Sequence, residues 1–295
     1  MNIEKLEILK NRPGFIAALD QSGGSSAKTL EKYGIPASSY NSEEEMFSLI
    51  HEMRARVITS PKFNSEHILG TILFYKTMMS KINGEYTADY LWNQKHIVSF
   101  LKVDKGLLDE ENGVKLMKPI PDLEEQLDEA VKKNIFGTKM RSVIYTANEK
   151  GIEDIVNQQF KFAEIICNKG LVPIIEPEVD INSKDKNEAE HILLEKINNK
   201  LTNWDKNKKI MFKFTIPTED NLYLSLTNNE SVVRVVALSG GYDIDTACNL
   251  LSKNHNMIAS FSRALLEKLN VNQTEEEFNN ALESAIIKIY TASIK

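Results

Sequence analysis

Eight short apolar runs, each followed by a stretch with helical periodicity, constrain this chain more than any other feature. They cover residues 15–20, 69–75, 98–104, 137–143, 172–179, 210–217, 232–239 and 257–262. Strands buried on both faces read as continuous apolar runs, and parallel strands need a crossover between them, usually a helix. Eight such units in 295 residues fit an α/β chain folded as a (β/α)8 TIM barrel, with residues 1–295 forming a single domain. A doubly wound open sheet is the runner-up. It calls for Gly-x-Gly-x-x-Gly after the first strand, whereas Asp20-Gln21-Ser22-Gly23-Gly24-Ser25 has a different glycine spacing. No Pro/Gly/Ser-rich linker, low-complexity tract or internal repeat interrupts the rhythm.

The helical stretches are recognisable by their spacing. Ile152, Ile155, Val156, Gln159, Ala163 and Ile166 trace one face of a helix, and Phe278, Leu282, Ala285 and Ile289 trace another. Ser42-x-x-Glu45 and Thr274-x-x-Glu277 have the form of capping boxes. Residues 123–133, 186–203, 219–226 and 244–253 complete most of the set.

Composition removes several functional classes. A net charge of −6 argues against nucleic acid or an anionic membrane as the main partner. The N-terminal residues are charged throughout, so no signal peptide is visible, and no apolar run reaches the length of a membrane span. Cys167 and Cys248 fall in helical stretches and read as free thiols in a reducing cytoplasm. The five histidines, His51, His67, His96, His191 and His255, are scattered, so neither a metal site nor a cofactor is expected.

Strand parity locates the chemistry. Alternate residues share a face, so Ile16, Ala18 and Asp20 point one way, as do Phe100, Lys102 and Asp104. The same holds for Gly137, Lys139 and Arg141, for Val172, Ile174, Glu176 and Glu178, and for Met211, Lys213 and Thr215. In each set the charge comes late in the strand. Barrel active sites lie at the C-terminal ends of the strands. Any one of these residues alone reads as a solvated strand end, and Lys213 alone reads as a lysine snorkelling to water. Together they form a polar ring over an apolar column.

The ring has a specific chemistry. An amine desolvated by its strand and set near a second ammonium, Lys139, is a candidate nucleophile towards a carbonyl carbon. Glu176 or Glu178 could shuttle the protons of carbinolamine formation and dehydration, and Asp20 could remove a hydroxyl proton. Leu238-Ser239-Gly240-Gly241 follows the seventh run and precedes a helix, and Arg263 follows the eighth, which suits an oxyanion. Ser22, Ser25, Lys102 and Arg141 could hold a second phosphate.

These stretches together resemble the class I fructose-bisphosphate aldolases, most closely their short bacterial branch. The matching segments are residues 15–25, Leu101-Lys102-Val103-Asp104-Lys105-Gly106, Gly137-Thr138-Lys139-Met140-Arg141, residues 172–178, Phe212-Lys213, Leu238-Ser239-Gly240-Gly241 and Ser262-Arg263-Ala264-Leu265. The resemblance implies reversible, metal-independent cleavage of fructose 1,6-bisphosphate to dihydroxyacetone phosphate and glyceraldehyde 3-phosphate. It implies Lys213 as the Schiff-base lysine, Glu176 as general acid/base, Glu178 and Lys139 as its support, and Asp20 acting on the C4 hydroxyl. Ser239, Gly240, Gly241 and Arg263 would bind one phosphate of the sugar, with Ser22, Ser25, Lys102 and Arg141 at the other.

Three departures from the longer animal-type members stand out. Thr29 replaces an arginine, Lys76 replaces a glutamate, and the sequence ends at Ala292-Ser293-Ile294-Lys295 without their tyrosine-bearing tail. The last departure leaves the residue that protonates the enamine carbon unassigned, with Tyr290 no more than a weak candidate. A ketose bisphosphate of another configuration, such as tagatose 1,6-bisphosphate, would suit the same motifs, since epimers differ at one hydroxyl. The scattered histidines disfavour a metal-dependent barrel aldolase, and the intact set of charges disfavours a non-catalytic scaffold. The partners expected are small sugar phosphates, with monomer or homo-oligomer left open.

Overall fold

Eight parallel strands follow one another around a barrel: β1 (Phe15–Leu19), β2 (Ile68–Leu73), β3 (Val98–Lys102), β4 (Gly137–Ile144), β5 (Val172–Val179), β6 (Ile210–Thr215), β7 (Val232–Leu238) and β8 (Met257–Ala259). The structure, a computed structural model, describes residues 1–22 and 24–295; Gly23 of the glycine-rich stretch lies outside the described residues. Each strand pairs in parallel with the next. The ring is bridged where the Ala18 N–H donates to the Phe261 carbonyl at 3.1 Å, joining the end of β8 to β1. This is the expected (β/α)8 barrel.

The apolar residues divide into two shells, as parity requires. Ile16, Ala18, Ile72, Phe100, Ile174, Met211, Val236 and Ile258 fill the barrel interior. Their alternates, among them Leu19, Leu101, Ile175, Phe212 and Phe214, pack outward against the helices. The helix α1 (Ile3–Asn11) lies under the N-terminal end of the barrel, where Leu6 and Leu9 join the inner cluster. Arg234 fixes it there by donating to the carbonyls of Leu9, Lys10 and Arg12 near the helix end.

Several sequence expectations shift at the edges. β1, β2, β3, β6, β7 and β8 stop one to three residues before the apolar runs do. At the mouth the chain leaves the ladder for loops, while residues such as Asp20 keep the inward direction of the strand. The helix expected over 219–226 is instead a turn followed by a 3-10 segment, Leu224–Asn228. Asn221 has φ 67°, and its N–H donates to Asn254 Oδ1, so the chain cannot continue helically through it. Thr274 and Glu277 form a complete capping box. Ser42 caps Glu45 N, but the Glu45 carboxylate accepts from Asn41 N rather than closing the box. Among the described residues, no helix is long and apolar enough to cross a membrane.

Candidate active site

Register sets the height of each inward charge. Lys102 pairs with Lys139, and Arg141 pairs two residues further along with Glu176. On the other side of β5, Ile174 pairs with Met211, so Glu176 and Lys213 lie at the same level, one step beyond. Lys139 starts a layer lower, and its long side chain rises between Asp20 and Glu176. Its Nζ lies 2.7 Å from Asp20 Oδ2 and 2.8 Å from Glu176 Oε2. The other Glu176 oxygen, Oε1, lies 3.0 Å from Lys213 Nζ. One carboxylate thus bridges two amines, and all four residues are buried.

Burial alone would protonate these carboxylates and neutralise these amines. It pushes Asp20 upward, yet the positive charges of Lys139 and Lys213 outweigh it and hold the carboxyl below its ordinary range. Burial likewise opposes ionisation of Glu176, and Lys139 with Lys213 again reverses it. For Lys139 burial works downward, but Asp20 and Glu176 hold it above the usual lysine range. The formal charges of the two lysines and two carboxylates balance. The simple expectation of two amines facing one another is therefore refined: the Glu176 carboxylate stands between them, one oxygen on each.

A second ring surrounds this centre. Arg141 donates through Nε to Glu178 Oε2. Burial would lower its pKa, but Glu178 more than compensates and raises it. Lys102 Nζ is held by Asp104, at 2.7 Å from Oδ1 and 2.9 Å from its carbonyl. The cavity above the cluster, about 160 Å³, is lined by Asp20, Lys139, Arg141, Glu176, Glu178 and Lys213 and closed on the far side by Leu238, Ser239, Gly240, Ser260, Ser262 and Arg263. Gly240 and Gly241 have φ of 61° and 123°, backbone that side-chain-bearing residues adopt at a cost. A Cβ at Gly241 would lie 3.6 Å from Arg263 Nη2, so glycine turn and guanidinium face one another closely. The next helix, Ile244–Leu251, is capped by the Asp243 carboxylate, which accepts from Thr246 N. An anion at the turn would therefore meet glycine N–H groups and Arg263 rather than that helix end. A larger cavity of about 400 Å³, lined by Gln21, Thr29, Lys32, Tyr242 and Gly241 among others, shares Arg263 with the first.

Comparison with known proteins decides the family. Residues 5–222 match the family model described as fructose-bisphosphate aldolase class-I. The chain is 57% identical over 294 residues to a protein from Clostridium acetobutylicum named fructose-bisphosphate aldolase class 1, covering 100% of each. It is 56% identical over 296 residues to one of the same name from Porphyromonas gingivalis, again covering 100% of each. The chain belongs to the class I fructose-bisphosphate aldolase family. A solved Plasmodium falciparum fructose-bisphosphate aldolase, in complex with TRAP and a small-molecule inhibitor, shares the fold with a TM-score of 0.79 at 20% identity, covering 99% of this chain and 94% of that one.

Of the positions that the class I aldolase resemblance singles out, Asp20, Lys139, Arg141, Glu176, Glu178, Lys213, Ser239, Gly240 and Arg263 line one cavity, with Gly241 beside Arg263 in the next. Ser22, Ser25 and Lys102 do not line it. The Ser22 N–H donates to Ser25 Oγ, which donates back to the Ser22 carbonyl, and Lys102 is engaged by Asp104. Tyr290 lies at the wrong end for the proton transfer considered for it. It packs edge-on against His67, whose ring centroid is 4.6 Å away and which precedes β2 at the N-terminal end of the barrel. The sequence reading missed Ser260 and Ser262. Parity carries the signal, because they continue the inward face of Ile258 beyond β8.

Proposed function

We propose that this chain is a Schiff-base aldolase that reversibly cleaves fructose 1,6-bisphosphate into dihydroxyacetone phosphate and glyceraldehyde 3-phosphate. The observation that carries this reading is Lys213 Nζ buried in the mouth of the barrel, 3.0 Å from a carboxylate shared with a second lysine. Lys213 gives up a proton to Glu176 and attacks the C2 carbonyl. The extra proton on nitrogen then passes to the alkoxide to give the carbinolamine, Glu176 returns its proton to that hydroxyl, water leaves, and an iminium remains. The iminium carries the same single positive charge as the ammonium it replaces, so the charge balance of the cluster survives. Asp20 takes the proton of the C4 hydroxyl, the C3–C4 bond breaks, and its electron pair passes into the iminium as an enamine. Because its carboxyl is held low, Asp20 suits a hydroxyl that becomes acidic only as the bond breaks. Protonation of the enamine carbon and hydrolysis of the iminium release the ketone product. Lys139 holds Asp20 and Glu176 ionised, and Glu178 orients Arg141 at the same rim. Ser239, Gly240, Gly241 and Arg263 receive the phosphate of the dihydroxyacetone half, and Arg141 with Ser22, Ser25 and Lys102 serves the other phosphate.

Borohydride added with dihydroxyacetone phosphate tests this directly. The expected result is a reduced three-carbon adduct at Lys213, read by peptide mass. An adduct at Lys139, or none at all, refutes the assignment.

A further inference from the structure

Arg54 is the largest fully buried side chain outside the catalytic cluster, and the chemistry above does not use it. It lies on the helix Glu43–Thr59, on the face of Ile50, Met53 and Val57. Among the described residues no carboxylate comes within ion-pair distance of its guanidinium; its partners are neutral. Nη1 donates to Thr77 Oγ1 at 2.7 Å, while Nη2 donates to the Gln21 carbonyl at 2.6 Å and to Gln21 Oε1 at 3.2 Å. A buried guanidinium without a carboxylate is costly to keep, yet two of its three bonds go to one loop residue. That residue is placed between the two halves of the mouth. Gln21 follows Asp20 and precedes Ser22 in the chain, and its Nε2 donates to Ser262 Oγ at 2.6 Å, next to Arg263. The Gln21 carbonyl also accepts from Ser26 Oγ at 3.2 Å, in the helix Gly24–Tyr33. The Arg54 fork thus fixes both the backbone and the side-chain amide of Gln21, and through them the separation between the loop after β1 and the loop after β8.

We propose that Arg54 is a positioning residue that, acting through Gln21, sets the distance between the two phosphate-gripping loops and so favours a sugar phosphorylated at both ends. The proposal rests on the aldolase reading above. A bisphosphate engages both loops at once, so its binding depends on their spacing. A ketose carrying only the phosphate that Arg263 receives uses one loop and tolerates slack in the other.

The test compares Arg54→Met, Arg54→Lys and Gln21→Ala with the parent on fructose 1,6-bisphosphate and fructose 1-phosphate. For Arg54→Met, kcat/KM on the bisphosphate is expected to fall on the order of tenfold to a hundredfold. Most of that fall should be in KM, with the monophosphate changing several-fold less. Arg54→Lys, which keeps the charge but not the fork, should recover only part of the preference. Gln21→Ala leaves Arg54 and its burial in place and should shift the preference the same way by less, which keeps the test open if Arg54→Met folds poorly. Equal losses on both substrates, or an unchanged ratio in Gln21→Ala, overturn the proposal. Borohydride trapping of dihydroxyacetone phosphate separates the two layers. A parent chain that traps at Lys213 while the substrate ratio stays fixed sinks the Arg54 role alone, whereas a parent that traps nothing sinks the aldolase reading and this proposal with it.

Discussion

The inward lysines at the mouth of the barrel and the cations under its other end are buried in opposite ways. At the C-terminal mouth, Lys139 and Lys213 meet carboxylates at 2.7–3.0 Å. At the N-terminal end, Lys5 Nζ meets the Asn134 carbonyl at 2.8 Å and Asn134 Oδ1 at 2.5 Å, over the face of Trp92. Arg234 there meets, among the described residues, only backbone carbonyls. Burial pushes Lys5 down to about 8 and Arg234 down to about 10, whereas the mouth reverses the same push on Lys139. Neutral acceptors satisfy hydrogen bonds without repaying the loss of hydration of a full charge. The closed end therefore holds its cations for structure, and the open end holds a balanced set of charges that can exchange protons.

Breaking the mouth should abolish chemistry and leave the fold. Lys213→Ala removes the proposed carbon nucleophile, and cleavage of fructose 1,6-bisphosphate is expected to fall by at least about a thousandfold. Circular dichroism should still show the barrel. Retained turnover would contradict the nucleophile role. Glu176→Gln keeps the shape but removes the carboxylate proposed to carry a proton from Lys213 to the carbinolamine oxygen, so iminium formation should slow by roughly 10²–10⁴-fold. Sugar-phosphate binding, followed by calorimetry, should persist. A variant that turns over normally but binds poorly would reverse that assignment.

Much of this contrast was legible in the sequence, because parity along a strand is a strict rule. The inward columns that carry Asp20, Lys139, Glu176 and Lys213 follow from alternation alone, and the structure places these four together. What alternation cannot give is reach. It puts Lys139 a layer below Glu176, and only the length of the lysine side chain lets one carboxylate bridge both amines. Parity also ceases where the strands end. Ser22 and Ser25 lie in a loop whose hydroxyl and backbone groups satisfy one another, which no strand pattern reports. Arg54 was not singled out from the sequence, because its partner, Gln21, comes from a distant loop.

A smaller effect sharpens the electrostatic side of the comparison. Asp20 is held below its unfolded range by Lys139 and Lys213 despite its burial. A lowered carboxyl contributes stability that is fully present above its unfolded pKa, near 4. That stability is lost only as the pH falls through the lower folded value. Asp20→Asn removes this contribution while leaving Lys139 its bond to Glu176. The parent's stability advantage over the variant, from urea unfolding, should therefore be constant above about pH 5 and shrink towards acid. An advantage independent of pH would mean that Asp20 is not charge-stabilised by the lysines.

Lys5 gives the mirror-image titration at the other end. Its folded pKa, about 8, lies below the unfolded lysine value, so between those two pH values the unfolded chain binds the extra proton. Stability due to this residue must then rise with pH across that window, because the cost of burying a charge disappears once the amine is neutral in the fold. The neutral amine can still donate to the Asn134 carbonyl and Oδ1, so the hydrogen bonds persist while the charge is lost. Lys5→Met carries no charge at any pH. The parent should gain on this variant in urea-unfolding stability as pH rises from about 8 towards 10, with activity at neutral pH unchanged within about twofold, since the residue touches neither cavity at the mouth. Parallel stability curves would show that Lys5 keeps an ordinary charge under the barrel. A large loss of activity would show that the two ends are coupled after all.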